Sequence, residues 1–286
     1  MSLNALQIAR KNLSEALLSI YDEREVSNIL KYYFTDKFTK AQLQDDEYVA
    51  LEITIDIQRF KNHEPYQYIV EKAFFYNRLF YVDRRVLIPR PETEELVSLV
   101  LDHLERQSPE KINLLDIGSG SGCIGLTIAL ESQNQSNISV ALLDLSEEAL
   151  QVVQTNSKMH NLTPLILQMD FLDQRQWDNI PKSDIIVSNP PYIDYSEKNE
   201  MEANVLEHEP GIALFADPPI LFYEAIARFA AFQNVRSKIF CECNPIYIKE
   251  TFKVFEENGC KEIEIRKDLQ GKDRFICATY TPELTL

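Results

Sequence analysis

Apolar positions recur at two different periods along the chain, and the change of period divides it. Leu3, Leu6, Leu13, Ala16, Leu17 and Ile20 share one face of a 3.6-residue period. Val26, Ile29, Leu30 and Tyr33 repeat that pattern over 25–34, and Val49, Leu51, Ile53, Ile57 and Phe60 repeat it over 48–60. These stretches predict a small helical bundle. Residues 64–88 then turn aromatic and β-branched: Phe74-Phe75-Tyr76, Leu79-Phe80-Tyr81-Val82 and Val86-Leu87-Ile88, separated by Asn77-Arg78 and Asp83-Arg84-Arg85. They predict a β-hairpin linking two domains. The expected division is a bundle over 1–72, a hairpin over 73–88 and a second domain over 89–286. The second domain opens on Ile88-Pro89-Arg90-Pro91-Glu92-Thr93-Glu94-Glu95-Leu96. Alternating prolines hold the backbone extended there, and three acids then suit the start of a helix. The stretch reads either as a linker with a helix start or as a lid over a later site.

From residue 112 short apolar runs alternate with helical ones. Strands are predicted over 112–117, 139–144, 164–169, 184–187 and 238–243, and helices over 123–131, 146–159, 219–232 and 245–258. A final strand pair is predicted over 261–266 and 274–280. Alternation of this kind, with a closing hairpin, specifies an α/β doubly wound sheet.

Composition narrows the field. A chain of 286 residues, 45% hydrophobic, has ample material for a core. No apolar run approaches the roughly 20 residues that span a bilayer. The first 18 residues mix Arg10, Lys11 and Glu15 with apolar residues, unlike a signal peptide. Five scattered cysteines form no CxxC pair, so reduced thiols in a cytoplasmic protein are expected, with no metal site. Cys241 and Cys243, in a predicted strand, are expected on opposite faces. A net charge of −16 disfavours a bare nucleic-acid partner. His63, His103, His160 and His208 stand in no nucleophile–base pattern, which disfavours hydrolytic triads.

Candidate chemistry gathers at two strand ends. The run over 184–187 stops at Ser188-Asn189-Pro190-Pro191-Tyr192, because two consecutive prolines cannot continue a strand. This delivers Asn189 to the carboxyl end of the sheet, where open α/β sheets bind ligands. Asn189 Oδ1 and the Pro190 carbonyl can each accept one N–H of a planar group, with the Tyr192 ring packed against its plane. The other end is Asp116-Ile117-Gly118-Ser119-Gly120-Ser121-Gly122. Four of the chain's 7 glycines (Gly118, Gly120, Gly122, Gly125) fall within it and the helix it opens. Gly120, Gly122 and Gly125 satisfy GxGxxG, a weak dinucleotide signal. However, Gly125 falls inside the predicted helix, and an acid before the loop repels pyrophosphate. That acid suits an ammonium group. Asp144, at the next strand end, suits two ribose hydroxyls. An amino acid head with an adenosine and no phosphate describes S-adenosylmethionine.

Residues 116–122 resemble motif I of the class I methyltransferases, and Asn189-Pro-Pro-Tyr192 resembles the signature of those that methylate an amino nitrogen. Leu87-Ile-Pro-Arg-Pro-Glu-Thr-Glu94, with Gln67-Tyr-Ile69 and Asp268-Leu-Gln-Gly-Lys-Asp-Arg274, closely resembles the PrmC/HemK family. The motifs cover about residues 64–280. That family methylates the side-chain amide nitrogen of the glutamine in the Gly-Gly-Gln motif of peptide chain release factors. The resemblance implies a Rossmann-like class I methyltransferase sheet with an antiparallel final strand. It implies that Gly118, Ser119, Gly120, Ser121 and Gly122 wrap the methionine part of the cofactor and that Asp144 binds the ribose. It further implies that Phe171 flanks the adenine beside Asp170, and that Asn189, Pro190, Pro191 and Tyr192 bind the glutamine amide. Two departures stand out: Glu71 replaces a usual glycine, and Cys243-Asn244 replaces a usual Ile-Gly. Neither is expected to touch the chemistry. An adenine-N6 DNA or RNA methyltransferase uses the same Asn-Pro-Pro-Tyr device, but seven acids against Lys198 alone over 194–217 would repel phosphates. A methyltransferase-like binding module is the second alternative. A monomer is expected.

Overall fold

A computed structural model describes residues 3–106, 111–132 and 137–283. The N-terminal part is helical: α1 (Leu3–Leu17), α2 (Glu23–Lys37), α3 (Asp46–Lys61) and the short α4 (Tyr66–Val70). Helix α2 starts before the predicted 25–34 because Asp22 and Glu25 form a capping box. Asp45 is a simple N-cap of α3, its carboxylate accepting from the Tyr48 N–H. Leu13, Leu17, Tyr33, Val49, Ile53 and Phe60 form the bundle core. Leu51, placed on the apolar face by spacing alone, is 60% exposed.

The hairpin is shorter than predicted. It comprises β1 (Ala73–Phe75) and β2 (Arg78–Phe80), with Ala73 paired to Phe80. Tyr76 and Asn77 make the tight turn at positive φ. Beyond Phe80 the ladder stops, because the Tyr81 N–H is taken by Asn156 Oδ1 at 2.7 Å. Residues 81–90 therefore carry no strand, and Val86-Leu87-Ile88 is a loop.

Helix α5 (Pro91–Glu105) leads into β3 (Ile112–Ile117), α6 (Cys123–Glu131), β4 (Ile138–Asp144), α7 (Glu147–Met159), β5 (Leu165–Gln168) and β6 (Ile185–Ser188). After a long excursion holding α8 (Ala203–His208) come α9 (Leu221–Gln233), β7 (Ser237–Glu242), α10 (Ile248–Glu257), β8 (Lys261–Lys267) and β9 (Asp273–Tyr280). The sheet order is β5-β4-β3-β6-β7-β9-β8; the first five strands are parallel and β9 is antiparallel to β7. Both faces are covered, as parallel sheets require. On one face Leu115, Ile117 and Ile239 meet Tyr223, Ile226 and Phe229 of α9. On the other, Leu114, Leu142 and Phe240 meet Leu96, Val97 and Val100 of α5. Cys241 and Cys243 lie together in the first of these clusters. The expectation of opposite faces was wrong, since residues two apart in a strand point the same way.

The strand order reverses between β3 and β6, which places the topological switch point between their carboxyl ends. The Ser188 hydroxyl donates to the Ile117 carbonyl at 2.7 Å and ties the two ends together. Both sequence motifs leave the sheet at this crevice.

Candidate active site

Two chambers flank the crevice. The first, of about 320 Å³, is lined by Gly118 and Gly120 after β3, Asp144 after β4, and Asp170 and Phe171 after β5. The second, of about 340 Å³, is lined by Pro190, Tyr192, Arg90, Glu200 and Glu202. They share Leu87, Asn189 and Ala213. Asn189 thus stands in the wall between them.

The glycine loop divides its residues by side. Gly118 and Gly120 face the first chamber at positive φ, and a Cβ on either would meet no atom within 4 Å. Ser119 and Ser121 turn inward and are buried. Gly122 starts α6, with Leu126 beside it. Asp144 is held by two backbone donors, Gly120 N–H at 2.8 Å and Ser146 N–H at 2.9 Å. Burial pushes its carboxyl up, and those two N–H groups pull it down. Each oxygen keeps a further lone pair, and Asp144 lines the chamber. Asp116 is fully buried behind the loop and does not line the chamber. Its Oδ2 accepts from the Gly125 N–H at 2.9 Å, and its Oδ1 has no partner among the described residues. Burial pushes this carboxyl up to about 7, with the charge of Asp144 adding to the effect. Asp170 closes its own turn by accepting from the Leu172 N–H. The Phe171 ring is 3% exposed and packs against Trp177 and Phe229, so most of it belongs to the core. This chamber fits a ligand with a phosphate-free, hydroxyl-bearing sugar: its open glycine positions admit close approach, and Asp144, Asp170 and Asp217 outnumber Arg85 among its charged lining residues.

At the wall, Asn189 Nδ2 donates to Thr93 Oγ1 at 3.1 Å. Thr93 donates to Glu242 Oε2 at 2.8 Å, and the Tyr192 hydroxyl donates to Glu242 Oε1 at 3.0 Å. Glu242 is 1% exposed; burial pushes its carboxyl up while Thr93, Tyr192 and Arg274 pull it down. Neither Asn189 Oδ1 nor the Pro190 carbonyl receives a hydrogen bond from the described residues, so two acceptors stay open. Glu209 holds the proline-rich stretch over this site, accepting from Arg90 at 2.7 Å and from the Ile88 N–H at 3.2 Å.

A family model, the methyltransferase small domain, matches residues 95–256. A release factor glutamine methyltransferase of Flavobacterium psychrophilum is 34% identical, over 95% of this chain and 98% of its own. Its counterpart in Bacteroides thetaiotaomicron is 39% identical over 78% of each chain. The chain belongs to the release factor glutamine methyltransferase family. Among solved structures, the hMettl16 catalytic domain superposes with a TM-score of 0.55 at 12% identity, covering 83% of each chain. The human methyltransferase 10 domain containing protein gives 0.51 at 15% identity, over 71% of this chain and 87% of its own. These two matches establish the class I methyltransferase fold.

Within that family fold, both departures acquire a physical meaning. Glu71, in the usual glycine position, caps α4 at φ 56, in the left-handed region that favours glycine. Asn244 Nδ2 donates to Glu197 Oε1 at 3.0 Å and to the Tyr192 carbonyl at 3.4 Å. It therefore braces the backbone of Tyr192 and does not reach the Asn189 or Pro190 acceptors. Sequence reasoning also missed Thr93, Glu242 and Glu209. The first two had a signal, an acid at a strand's carboxyl end and a threonine among prolines and acids. Only three-dimensional packing joins them.

Proposed function

We infer that the chain transfers a methyl group from S-adenosylmethionine to the side-chain amide nitrogen of the Gly-Gly-Gln glutamine of peptide chain release factors. The position of Asn189 carries this reading: its free acceptor lies in the wall shared by two chambers, one shaped for the cofactor and one open to a second molecule.

Gly118 and Gly120 would lie along the methionine part of the cofactor, with Ser119, Ser121 and Gly122 shaping the loop behind them. Asp144 would accept from the ribose hydroxyls and Asp170 and Phe171 would border the base, while Asp116, buried behind the loop, would brace it through the Gly125 N–H instead of meeting the amino group directly. When bound, S-adenosylmethionine supplies an electrophilic sulfonium methyl. The protein's part is orientation. Asn189 Oδ1 and the Pro190 carbonyl accept the two N–H bonds of a substrate carboxamide, while the Tyr192 ring borders its plane; Pro191, expected beside the substrate, lines the first chamber instead. As that nitrogen takes the methyl group, the electrons of the methyl–sulfur bond stay on sulfur and positive charge grows on nitrogen; the two fixed carbonyl dipoles stabilise that charge more than they stabilise the resting amide, and the nitrogen then releases one N–H proton to water. Holding the nitrogen in a near-attack position lowers the barrier by up to about 7 kcal/mol.

Residues 1–72 serve in this reading as a docking unit, 73–88 as its link and 89–286 as the transferase. A cleft of about 540 Å³ supports the docking role; it runs between Tyr21, Phe60 and Tyr66 of the bundle and Ala203–Asn204, beside the second chamber. Glu200, Glu202 and Glu207 are exposed, which favours a protein substrate over phosphates. No described helix is long and apolar enough to cross a membrane. The chain acts in this reading as a cytoplasmic monomer, without direct nucleic-acid contact.

The test is a transfer assay with methyl-labelled S-adenosylmethionine. A release factor, the same factor with its Gly-Gly-Gln glutamine changed to alanine, and duplex DNA are offered in parallel. Label on the intact factor alone is expected. Label on DNA would replace this reading with adenine-N6 transfer.

A further inference from the structure

We propose that Thr93, held by Glu242, is a positioning residue that decides which end of the Asn189 amide meets the substrate. The inference rests on Asn189 being the substrate acceptor. A carboxamide has an oxygen end and an NH2 end of nearly equal shape, and its terminal torsion is soft. Turned the wrong way, Asn189 would present N–H donors to the N–H donors of a substrate amide, and the clamp would repel what it must hold. Some neighbour must therefore distinguish the two orientations.

The hydrogen-bond polarity around Asn189 does so. Thr93 has a single hydroxyl proton. That proton is committed to Glu242 Oε2 at 2.8 Å, and the other carboxylate oxygen takes the Tyr192 proton at 3.0 Å. A carboxylate only accepts, so both hydroxyls must point toward it. Toward Asn189, Thr93 can then act only as an acceptor, and it receives Nδ2 at 3.1 Å. The amide is locked with nitrogen inward and oxygen outward. Thr93 is 2% exposed and Glu242 1%, so water has little access to replace either partner. One buried carboxylate thus fixes both halves of the clamp, the acceptor Asn189 and the packing ring of Tyr192. The elements concerned are distant in sequence: the first turn of α5, the end of β6 and the end of β7.

The experiment compares Thr93→Val, Thr93→Ala, Thr93→Ser and Asn189→Ala in the full chain. It reads turnover of a release factor at saturating cofactor, cofactor affinity by calorimetry, and thermal melting. Thr93→Val and Thr93→Ala are expected to lower kcat by about tenfold, the equivalent of one hydrogen bond. Cofactor affinity should stay unchanged, and Thr93→Ser should restore turnover because it keeps the hydroxyl. Thr93→Ala guards against a valine variant that folds poorly. Wild-type turnover in both hydroxyl-free variants would overturn the inference, as would equal losses in Thr93→Ser and Thr93→Ala, which would make Thr93 a packing residue. With Asn189→Ala inactive, either result leaves the amide clamp standing. Full activity in Asn189→Ala would remove the clamp and the inference together.

Discussion

Replacing Tyr192 by phenylalanine separates the two roles the structure gives this side chain. The ring borders the second chamber, and the hydroxyl donates to Glu242 at 3.0 Å. Glu242 is almost wholly buried, so the lost bond is one to a carboxylate with no water in reserve. Hydrogen bonds to charged groups contribute about 1.5–3 kcal/mol, so Tyr192→Phe should destabilise the fold by about 2 kcal/mol. For a chain of this size that lowers Tm by about 5 °C. Glu242 would also lose a donor to its charged form, and its carboxyl would move further up. Turnover should fall less than in Tyr192→Ala, which also removes the ring. Melting followed by circular dichroism, together with the labelled-methyl assay, reads both effects. An unchanged Tm would refute the claim that the hydroxyl is committed to Glu242. Equal turnover losses for phenylalanine and alanine would refute the packing role of the ring.

Asp144→Ala should weaken S-adenosylmethionine by about 100-fold, from two lost bonds to a charged acceptor; unchanged affinity in calorimetry would remove its ribose role. Gly120→Ala should fold, at a cost of about 1 kcal/mol for its positive φ, yet bind cofactor poorly because the new methyl enters open chamber space. Gly125→Ala should do the opposite and lower Tm, because its Cβ would sit 2.4 Å from Leu142 Cδ2. If both variants lost only cofactor affinity, the division of the loop into two sides would fail. Asp116 carries a carboxyl raised to about 7, so the folded state keeps a proton that the unfolded chain has released. Its contribution to stability is complete below about pH 4 and is lost as pH rises to about 7. Denaturation curves across that range should show the decline in the wild type and a flatter profile in Asp116→Asn; parallel profiles would contradict the assignment.

Much of the sheet was legible because its signals are local. Apolar runs ended by Gly118, Asp144 and Asn189 marked three strand ends that meet at the crevice. The doubly wound architecture followed from the alternation of strands and helices. What escaped depended on partners far away in sequence. The loop over 81–90 has strand-forming residues, but Asn156 takes the Tyr81 N–H that would carry the hairpin on past Phe80. Leu51 has the right spacing, but no neighbouring element covers it. Phe171, expected to flank an adenine, lines the first chamber with part of its ring while Trp177 and Phe229 pack against the rest. The support behind Asn189 is a relay among residues 93, 189, 192 and 242, and no window of sequence contains it.

The shared wall between the chambers also constrains the order of kinetic events. In the proposed reading each molecule has its own chamber, and the two meet at the wall shared by Leu87, Asn189 and Ala213. Among the described residues, the shared wall of Leu87, Asn189 and Ala213 holds no nucleophile to carry the methyl group across. Transfer therefore requires both ligands at once, in a ternary complex. Double-reciprocal plots of initial rate should intersect, where a shuttle through a modified enzyme would give parallel lines. The spent cofactor can then leave while the protein substrate is still seated, so an excess of either molecule should trap dead-end complexes of its own.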